Sequence, residues 1–394
     1  MYHPPLMNTK SNTSKFRTSF LSGLNKVDSA DWNRLTGVDY PFLRYEFLAA
    51  LENSGCVSEQ TGWQPHHLVV YQATHLVALM PLYIKTHSYG EYVFDWAWAD
   101  AYHRHGVPYY PKLLTAIPFT PATGSRLCIA PGQNDAEISS LAVEKIKHHA
   151  ETKGYSSWHL LFPCKSEFEQ LSQHNLSARS GCQYHWKNRD YANFDDFLAH
   201  LSSRKRKNIK RERRRVAEQG ITLTRIPGME ITQAQLQTFY EFYQSTYYKR
   251  GQQGYLTLAF FEKILTTMPD QLLLVMAYRD NHPIAAALCL GSSDTLYGRY
   301  WGCLEEYECL HFEACYYQGI EHCIEQGIQK FDPGAQGEHK ISRGFEPTTT
   351  HSLHWIAHPG FRAAIDDFLK REHRGVKDYI EQASQLLPFK RSSY

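Results

Sequence analysis

Apolar residues recur at helical spacing in some stretches of this chain and in β-branched runs in others, and the two kinds of stretch follow one order twice. Residues 1–18 are polar and read as a disordered N-terminus. Residues 29–33 and 41–55 then have the spacing of two short helices, and Gly55 ends the second. Strands are expected at 67–71, 76–84 and 92–98, the first two joined by a turn at 72–75. A helix over 135–153, a strand over 157–162 and a helix over 167–173 complete the first pass. The second pass begins with helices at 233–248, whose apolar face carries Leu236, Phe239, Tyr240 and Tyr243, and at 260–268. Three strands follow at 272–278, 284–290 and 295–301, then a helix over 311–326 stopped by Gly327, strands at 328–332 and 349–356, and a long helix over 360–386. The expected class is therefore α/β (α+β), with two similar domains at 19–190 and 232–394. Each would be a mixed, mostly antiparallel sheet flanked by helices, the second bearing the long C-terminal helix, with 191–231 as a basic helix and linker.

That linker carries the densest charge. Nine of the twelve residues from 204 to 215 are Lys or Arg, and Glu212 is the only acid among them. Wound as a helix, Leu198, Leu201, Ile209 and Val216 share one arc of about 80°, with every base but Lys205 outside it. Ser202 or Ser203 can cap the start, and Gly220 can take the left-handed turn at the end. A charged helix face is often merely solvated. One acid cannot neutralise nine bases, however, so the run points to an anionic ligand: the phosphates of a cofactor, a nucleic acid or a lipid. Its expected contacts are Arg204, Lys205, Lys207, Asn208, Lys210 and Arg211. Across the whole chain 42 Lys plus Arg stand against 40 Asp plus Glu, so the basic character is local.

A length of 394 residues allows two or three domains. Residues 1–15 lack the apolar core of a signal peptide, and no run approaches the ~18 apolar residues of a membrane span. A cytoplasmic protein is expected, with a peripheral contact on the inner membrane surface left open. Nine cysteines in irregular spacing read as reduced thiols. Cys303, Cys309, His311, Cys315, His322 and Cys323 lack the short paired spacing of a zinc site, so core packing is expected there and no metal. Aromatic residues make up 14% of the chain, which suits either a surface gripping an extended ligand or Tyr-rich strands.

Two segments carry candidate chemistry. Residues 95–126 are aromatic, Pro-rich and Gly-rich, with neither helical period nor alternation, and read as a loop that either lines a site or is inert. Asp95, Trp96, Asp100, Tyr109, Lys112, Thr120 and Arg126 are its candidate substrate contacts, with Tyr300 from the second half. The second segment, 332–345, follows a strand end, where sites often lie. It holds Asp332, Gln336 and Arg343 as candidate contacts and Glu338, His339 and Lys340 as candidate catalytic groups. Such a segment can supply both a proton acceptor and donors for a developing negative charge. Glu338 or His339 suits the first role; Lys340, Arg343 or loop N–H groups suit the second. Any one of them could instead be a surface ion pair.

The order of helices, antiparallel meander, helix, strand and helix resembles the Gcn5-related N-acyltransferase (GNAT) fold, and two copies in one chain resemble the FemXAB group. Longer strings sharpen the likeness: residues 87–96 (HSYGEYVFDW), 109–112 (YYPK), 118–126 (PFTPATGSR), 204–213 (RKRKNIKRER) and 332–345 (DPGAQGEHKISRGF). They are similar to the FemAB-like N-acyltransferases of peptidoglycan biosynthesis or recognition. The resemblance implies acyl or aminoacyl transfer to an amine of a peptide, cell-wall precursor or small molecule. The donor would be aminoacyl-tRNA or acyl-CoA, with no tightly bound cofactor, and Lys340 matches by place the lysine that the FemXAB loop offers its substrates. Two features depart from relatives. The glycine-rich pyrophosphate grip of CoA-dependent GNAT enzymes is replaced by the acidic run 305–314 (EEYECLHFEA), and 220–232 leaves no room for a helical arm. An acetyl-CoA-dependent first half and a non-catalytic module for an anionic ligand are the alternatives, and the oligomeric state is open.

Overall fold

The computed structural model describes residues 15–249, 251–335 and 337–390. The first half runs β1 (Arg17–Leu21), α1 (Ser29–Thr36), α2 (Tyr45–Asn53), β2 (Trp63–Pro65), β3 (His67–Gln72), β4 (His75–Met80), β5 (Tyr83–Lys85) and α3 (Trp96–Arg104). It continues with β6 (Lys112–Thr115), β7 (Cys128–Ile129), α4 (Asp135–Lys153), β8 (Ser157–Leu161), α5 (Lys165–Leu171) and β9 (Ser177–Lys187). Helices α6 (Phe194–His200) and α7 (Ser203–Glu218) and strand β10 (Ile221–Pro227) lead to the second half. That half comprises α8 (Gln233–Tyr248), α9 (Leu258–Thr267), β11 (Leu272–Arg279), β12 (His282–Gly291), β13 (Thr295–Cys303), α10 (Leu310–Phe312), α11 (Gln318–Gln326), β14 (Lys330–Asp332), β15 (Glu346–Ile356) and α12 (Pro359–Gln385). A π-turn, Glu313–Tyr317, joins α10 to α11.

The second-half meander, the flanking helices and their order match the sequence pattern, whereas the single strand expected at 76–84 breaks after Met80 into β4 and β5, which lie in different sheets. Local chemistry accounts for the boundaries: Thr232 and Gln235 form a capping box at α8, and Asn134 caps α4, which ends at Gly154 with φ +72°. Four other expectations are corrected. No strand forms at 92–98; Trp98 and Tyr102, one helical turn apart, instead bury their rings against Ile356, Ile365 and Leu369 and make α3 a helix. The supposed loop at 95–126 therefore contains α3 and β6. Part of the linker is β10, whose alternating ITLTRI pairs with β11. The basic helix is also shorter than its apolar arc implied: Leu198 belongs to α6, Leu201 bridges to Phe389, and the Ser202 side chain makes no capping bond. Gly220 takes the left-handed turn at φ +73°. Within the expected disordered terminus, residues 17 and 18 begin β1, while 1–14 lie outside the described residues.

The strands form a small sheet, β1-β3-β4-β7, and an eleven-stranded sheet, β10-β11-β12-β13-β14-β9-β15-β8-β6-β5-β2. The halves exchange strands at its centre. First-half β9 pairs with β14 of the second half, and second-half β15 lies between β9 and β8. The β9–β15 ladder runs from His185 opposite Glu346 to Ser177 opposite His354, and α12 lies across both strands. On the other side α8 packs so closely on β13 that a Cβ at Gly302 would sit 1.9 Å from the Phe242 carbonyl oxygen.

A candidate acyl-transfer cleft in the second half

Parallel strands β13 and β14 pair over only three residues, Thr295–Tyr297 with Lys330–Asp332, and then diverge. Beyond Tyr297 the edge of β13 that faced β14 has no strand partner. A bulge adds to this: Leu288 faces Tyr300 and Cys289 faces Gly298, leaving Arg299 as the extra residue. A cavity of about 440 Å³ opens in the gap, between Gly298–Trp301 on one side and Pro333–Ala335 with Lys340 on the other. Tyr243, Tyr247 and Tyr255 from the α8 side and Tyr92 and Phe119 from the first half close it. The Arg299 guanidinium pairs with the buried Asp332 carboxylate at 2.8 Å, and Asp332 also accepts from Gly334 N at 2.9 Å. Burial opposes ionisation of Asp332, but Arg299 holds its carboxyl well below the usual carboxylate range. Asp332 thus braces the loop that follows.

That loop turns through Gly337 (φ +117°) and Gly344 (φ +92°) around a 3₁₀ segment, Glu338–Arg343. A Cβ at Gly337 would also strike the His339 ring at 2.5 Å. Lys340 is buried and donates to Gly334 O at 2.8 Å and Pro333 O at 3.4 Å. Burial lowers its pKa to about 8, with Asp332 partly opposing. His339 lines the cavity and shares a hydrogen bond of 2.8 Å with the Tyr316 hydroxyl; burial, then Arg343 and Lys340, lower its pKa. Glu338 is apart from both: exposed, it accepts from the Tyr379 hydroxyl on α12 at 2.7 Å. Arg343 stacks 3.5 Å over Phe312, pairs with Glu212 of α7 at 2.8 Å and donates to His339 O. Gln336 lies outside the described residues.

In the first half the corresponding gap is sealed. Parallel β6 and β8 pair at Leu113–Thr115, and the chain after β6 returns to bridge Gly124 to Pro163. The fully buried Arg126 guanidinium fills the space, donating to Leu161 O at 2.9 Å, Ala122 O at 2.7 Å and Gly124 O at 3.1 Å. Below it a buried polar chain runs through the sheet. Lys112 donates to Glu91 at 2.8 Å, to Ser88 at 2.9 Å and to Asp95; Tyr109 bonds Asp95 at 2.6 Å and His159 at 3.1 Å, and His159 meets His354 of β15 at 2.6 Å. Of the remaining candidates, Trp96 lies on the wall of the groove between the halves, 5.0 Å from the Tyr89 ring. Thr120 turns back onto Pro118 O, and Asp100 sits on the outer face of α3 paired with Arg104 at 3.0 Å.

Helix α7 buries Ile209 and Val216 and presents its bases outward. The expected excess of charge is partly met from other elements: Lys210 pairs with Asp195 at 2.9 Å, and Arg213 with Glu313 and Glu321. Arg204, Lys207 and Arg211 are exposed and Lys205 and Asn208 half-buried, and none of these forms an ion pair among the described residues. Through Glu212 and Arg343 the helix is joined to the Lys340 loop. Cys315 and Cys323 pack in and against the core around α11.

Of the aromatic walls, sequence reasoning named Tyr300, which lines the cavity, and missed the rest. Tyr243 stood only for an apolar helix face, and Tyr92 for a strand residue. The run YEFYQSTYY in α8 was the available signal, because it places tyrosines on more of the helix surface than one core-facing stripe requires.

Two GNAT-like halves in tandem, sharing strands and keeping one cleft open, define a tandem GNAT-fold protein. The chain belongs to the FemAB-like family, described as peptidoglycan biosynthesis/recognition, which matches residues 23–391. No protein of curated function matches it significantly in sequence. Among solved structures it is similar to the C-terminal domain (DUF2156) of a protein assigned as a lysylphosphatidylglycerol synthetase from Agrobacterium fabrum. That match has a TM-score of 0.53 and 10% identity over 86% of this chain and 97% of the other. A conserved protein of unknown function from Bacteroides thetaiotaomicron matches with a TM-score of 0.50 and 12% identity, over 86% and 99% of the two chains. A FemX structure matches with a TM-score of 0.47 and 12% identity, over 78% and 92%. Among the described residues no helix is long and apolar enough to cross a membrane.

Proposed function

We propose that this protein transfers an acyl group, in its aminoacyl form from aminoacyl-tRNA, to an amine of a peptide, a cell-wall precursor or a small molecule. The observation that carries the reading is the open gap between β13 and β14, with the Lys340 amine on one wall and an unpaired strand edge on the other. In such a transfer the amine lone pair attacks the acyl carbonyl and an oxyanion develops. The ester or thioester bond then breaks as the leaving oxygen or sulfur takes a proton. Backbone N–H groups of the free β13 edge are donors for the oxyanion. Lys340, protonated below pH about 8, adds a charged donor and can return a proton to the leaving group. His339, lowered in pKa and so neutral at pH 7, is the nearer candidate to accept the amine proton, because Glu338 is turned toward Tyr379.

The unpaired bases of α7, tied to the Lys340 loop through Glu212 and Arg343, suit the phosphates of a tRNA acceptor stem. The family's description supports a wall precursor as acceptor. Two observations disfavour CoA: Glu305 and Glu306 stand at the turn after β13 where a pyrophosphate would lie, and Arg126 seals the first-half gap. The test is incubation with aminoacyl-tRNAs or acyl-CoA and an amine-bearing wall-precursor peptide, with products read by mass spectrometry. Acylated peptide from the tRNA donors, lost in Lys340→Met, is the expected result. Failure of both donors would favour a non-catalytic binding module instead.

A further inference from the structure

The cavity's walls restrict what it can hold. Tyr92, Phe119, Tyr243, Tyr247, Tyr300 and Trp301 surround it. They come from four separate parts of the chain, and three of the rings already meet edge to face, Tyr243 with Tyr247 at 5.1 Å and with Tyr300 at 5.8 Å. At about 440 Å³ the space is far larger than a glycyl or alanyl group, which would leave most of it filled with water. Its charge is one-sided. Arg299 is neutralised by Asp332, whereas Lys340 bonds only carbonyl oxygens and has no ion pair among the described residues. The buried Arg299 Nε, moreover, has no hydrogen-bond partner there. A cationic side chain would meet Lys340 without a counter-charge. A carbonyl or carboxylate oxygen would meet donors.

Resting on the transferase reading, we infer that the cleft accepts an acyl group bearing an aromatic ring, with the ring among the tyrosines and Trp301 and its carbonyl oxygen toward Lys340. A ring fits better than an aliphatic chain of equal area because each edge-to-face contact adds roughly two- to tenfold in affinity beyond burial. The donor is then an arylacyl or aromatic aminoacyl ester rather than a small aminoacyl one.

The experiment is a titration of the full-length protein with four probes, 3-phenylpropanoate, propanoate, 3-phenylpropylamine and adenosine, followed by Trp fluorescence and saturation-transfer NMR. Expected is saturable binding of 3-phenylpropanoate at least tenfold tighter than the other three, weakened tenfold or more in Trp301→Ala and separately in Lys340→Met. Tyr247→Leu, at a half-buried wall position, serves if Trp301→Ala does not fold. Equal binding of propanoate removes the ring from the argument, tighter binding of the amine reverses the charge assignment, and preferred binding of adenosine makes the walls a nucleobase site; each overturns the proposal. If no probe binds while glycyl or alanyl transfer is observed, the aromatic specificity falls and the transferase reading stands. If 3-phenylpropanoate binds as expected but no donor yields product, the transferase reading falls instead.

Discussion

Loss of the Lys112 charge should cost the fold heavily. Its ammonium is wholly buried, and the Glu91 and Asp95 side chains it binds are 2% and 4% exposed. Burial raises Glu91 to a pKa of about 7, with Lys112 opposing; for Asp95 burial is the largest single influence, but Lys112, His159 and Ser88 together overcome it and hold the carboxyl below its usual range. Lys112→Met preserves the stem and removes the charge, leaving two buried carboxyls with no counter-ion. Breaking a buried pair from one side typically costs about 3–5 kcal/mol, and that is the expected drop in unfolding free energy at pH 7.5 by urea denaturation. The pH dependence follows in sign. In the variant both carboxyls have folded pKa values above their unfolded ones, so the folded state holds more protons and stability falls as pH rises. The deficit should therefore shrink on going down to pH 5.5, by up to about 1.4 kcal/mol per pH unit for each carboxyl that takes up its proton in the variant but keeps its charge in the wild type, which is chiefly Asp95. Lys112→Met combined with Glu91→Gln and Asp95→Asn removes all three charges and should recover most of the loss. A single variant within about 1 kcal/mol of wild type, or a triple variant no better than the single, refutes the electrostatic account.

Lys340→Arg keeps a positive charge at high pH. If the protonated amine is the form that works, wild-type turnover falls about tenfold per pH unit above about 8, and the arginine variant loses that alkaline limb; a rate–pH profile decides. Gly302→Ala forces its Cβ to 1.9 Å from the Phe242 carbonyl oxygen and should unfold the protein or destabilise it by more than about 3 kcal/mol. Gly375→Ala, in open space midway along α12, should instead stabilise it by about 0.5–1 kcal/mol, and thermal melts separate the two outcomes. On the proposal that α7 holds a tRNA acceptor stem, Arg204→Glu with Lys207→Glu and Arg211→Glu should abolish tRNA binding without changing the circular dichroism. Single alanine variants should each reduce the slope of log affinity against log salt by about one.

How much of this was legible in the sequence depended on whether the signal was local. Helices α4 and α8 and the β11–β13 meander announce themselves through period and caps, and the segment 332–345 stood out as a candidate site because its glycines and titratable groups are adjacent in the chain. Trp98 and Tyr102 were harder, since aromatic residues favour strands on average and only the packing against α12, more than 250 residues away, makes that stretch a helix. The basic run on α7 was visible, but its partial neutralisation was not, because Glu313 and Glu321 lie about 100 residues downstream. Arg126 and Lys112 looked alike as cations in an aromatic loop. One is held by carbonyls of a sealed gap and the other by two carboxylates, and that distinction exists only in three dimensions.

The exchange of β9 and β15 ties the Lys340 loop to the sealed first half. The Lys340 loop is strung between β14 and β15, and both of those strands pair with β9. Beyond the loop, β15 continues into the first half, where His354 joins His159 at the end of the Lys112 chain. Both ends of the loop are therefore anchored on first-half backbone, and Asp332, at its start, is fixed again by Arg299. A loop carrying a buried lysine with a lowered pKa needs such anchoring, since any relaxation that admitted water would restore the ordinary ammonium and its affinity for solvent. On this argument the Lys112 network is a support of the loop rather than a substrate contact, reached from it through β15.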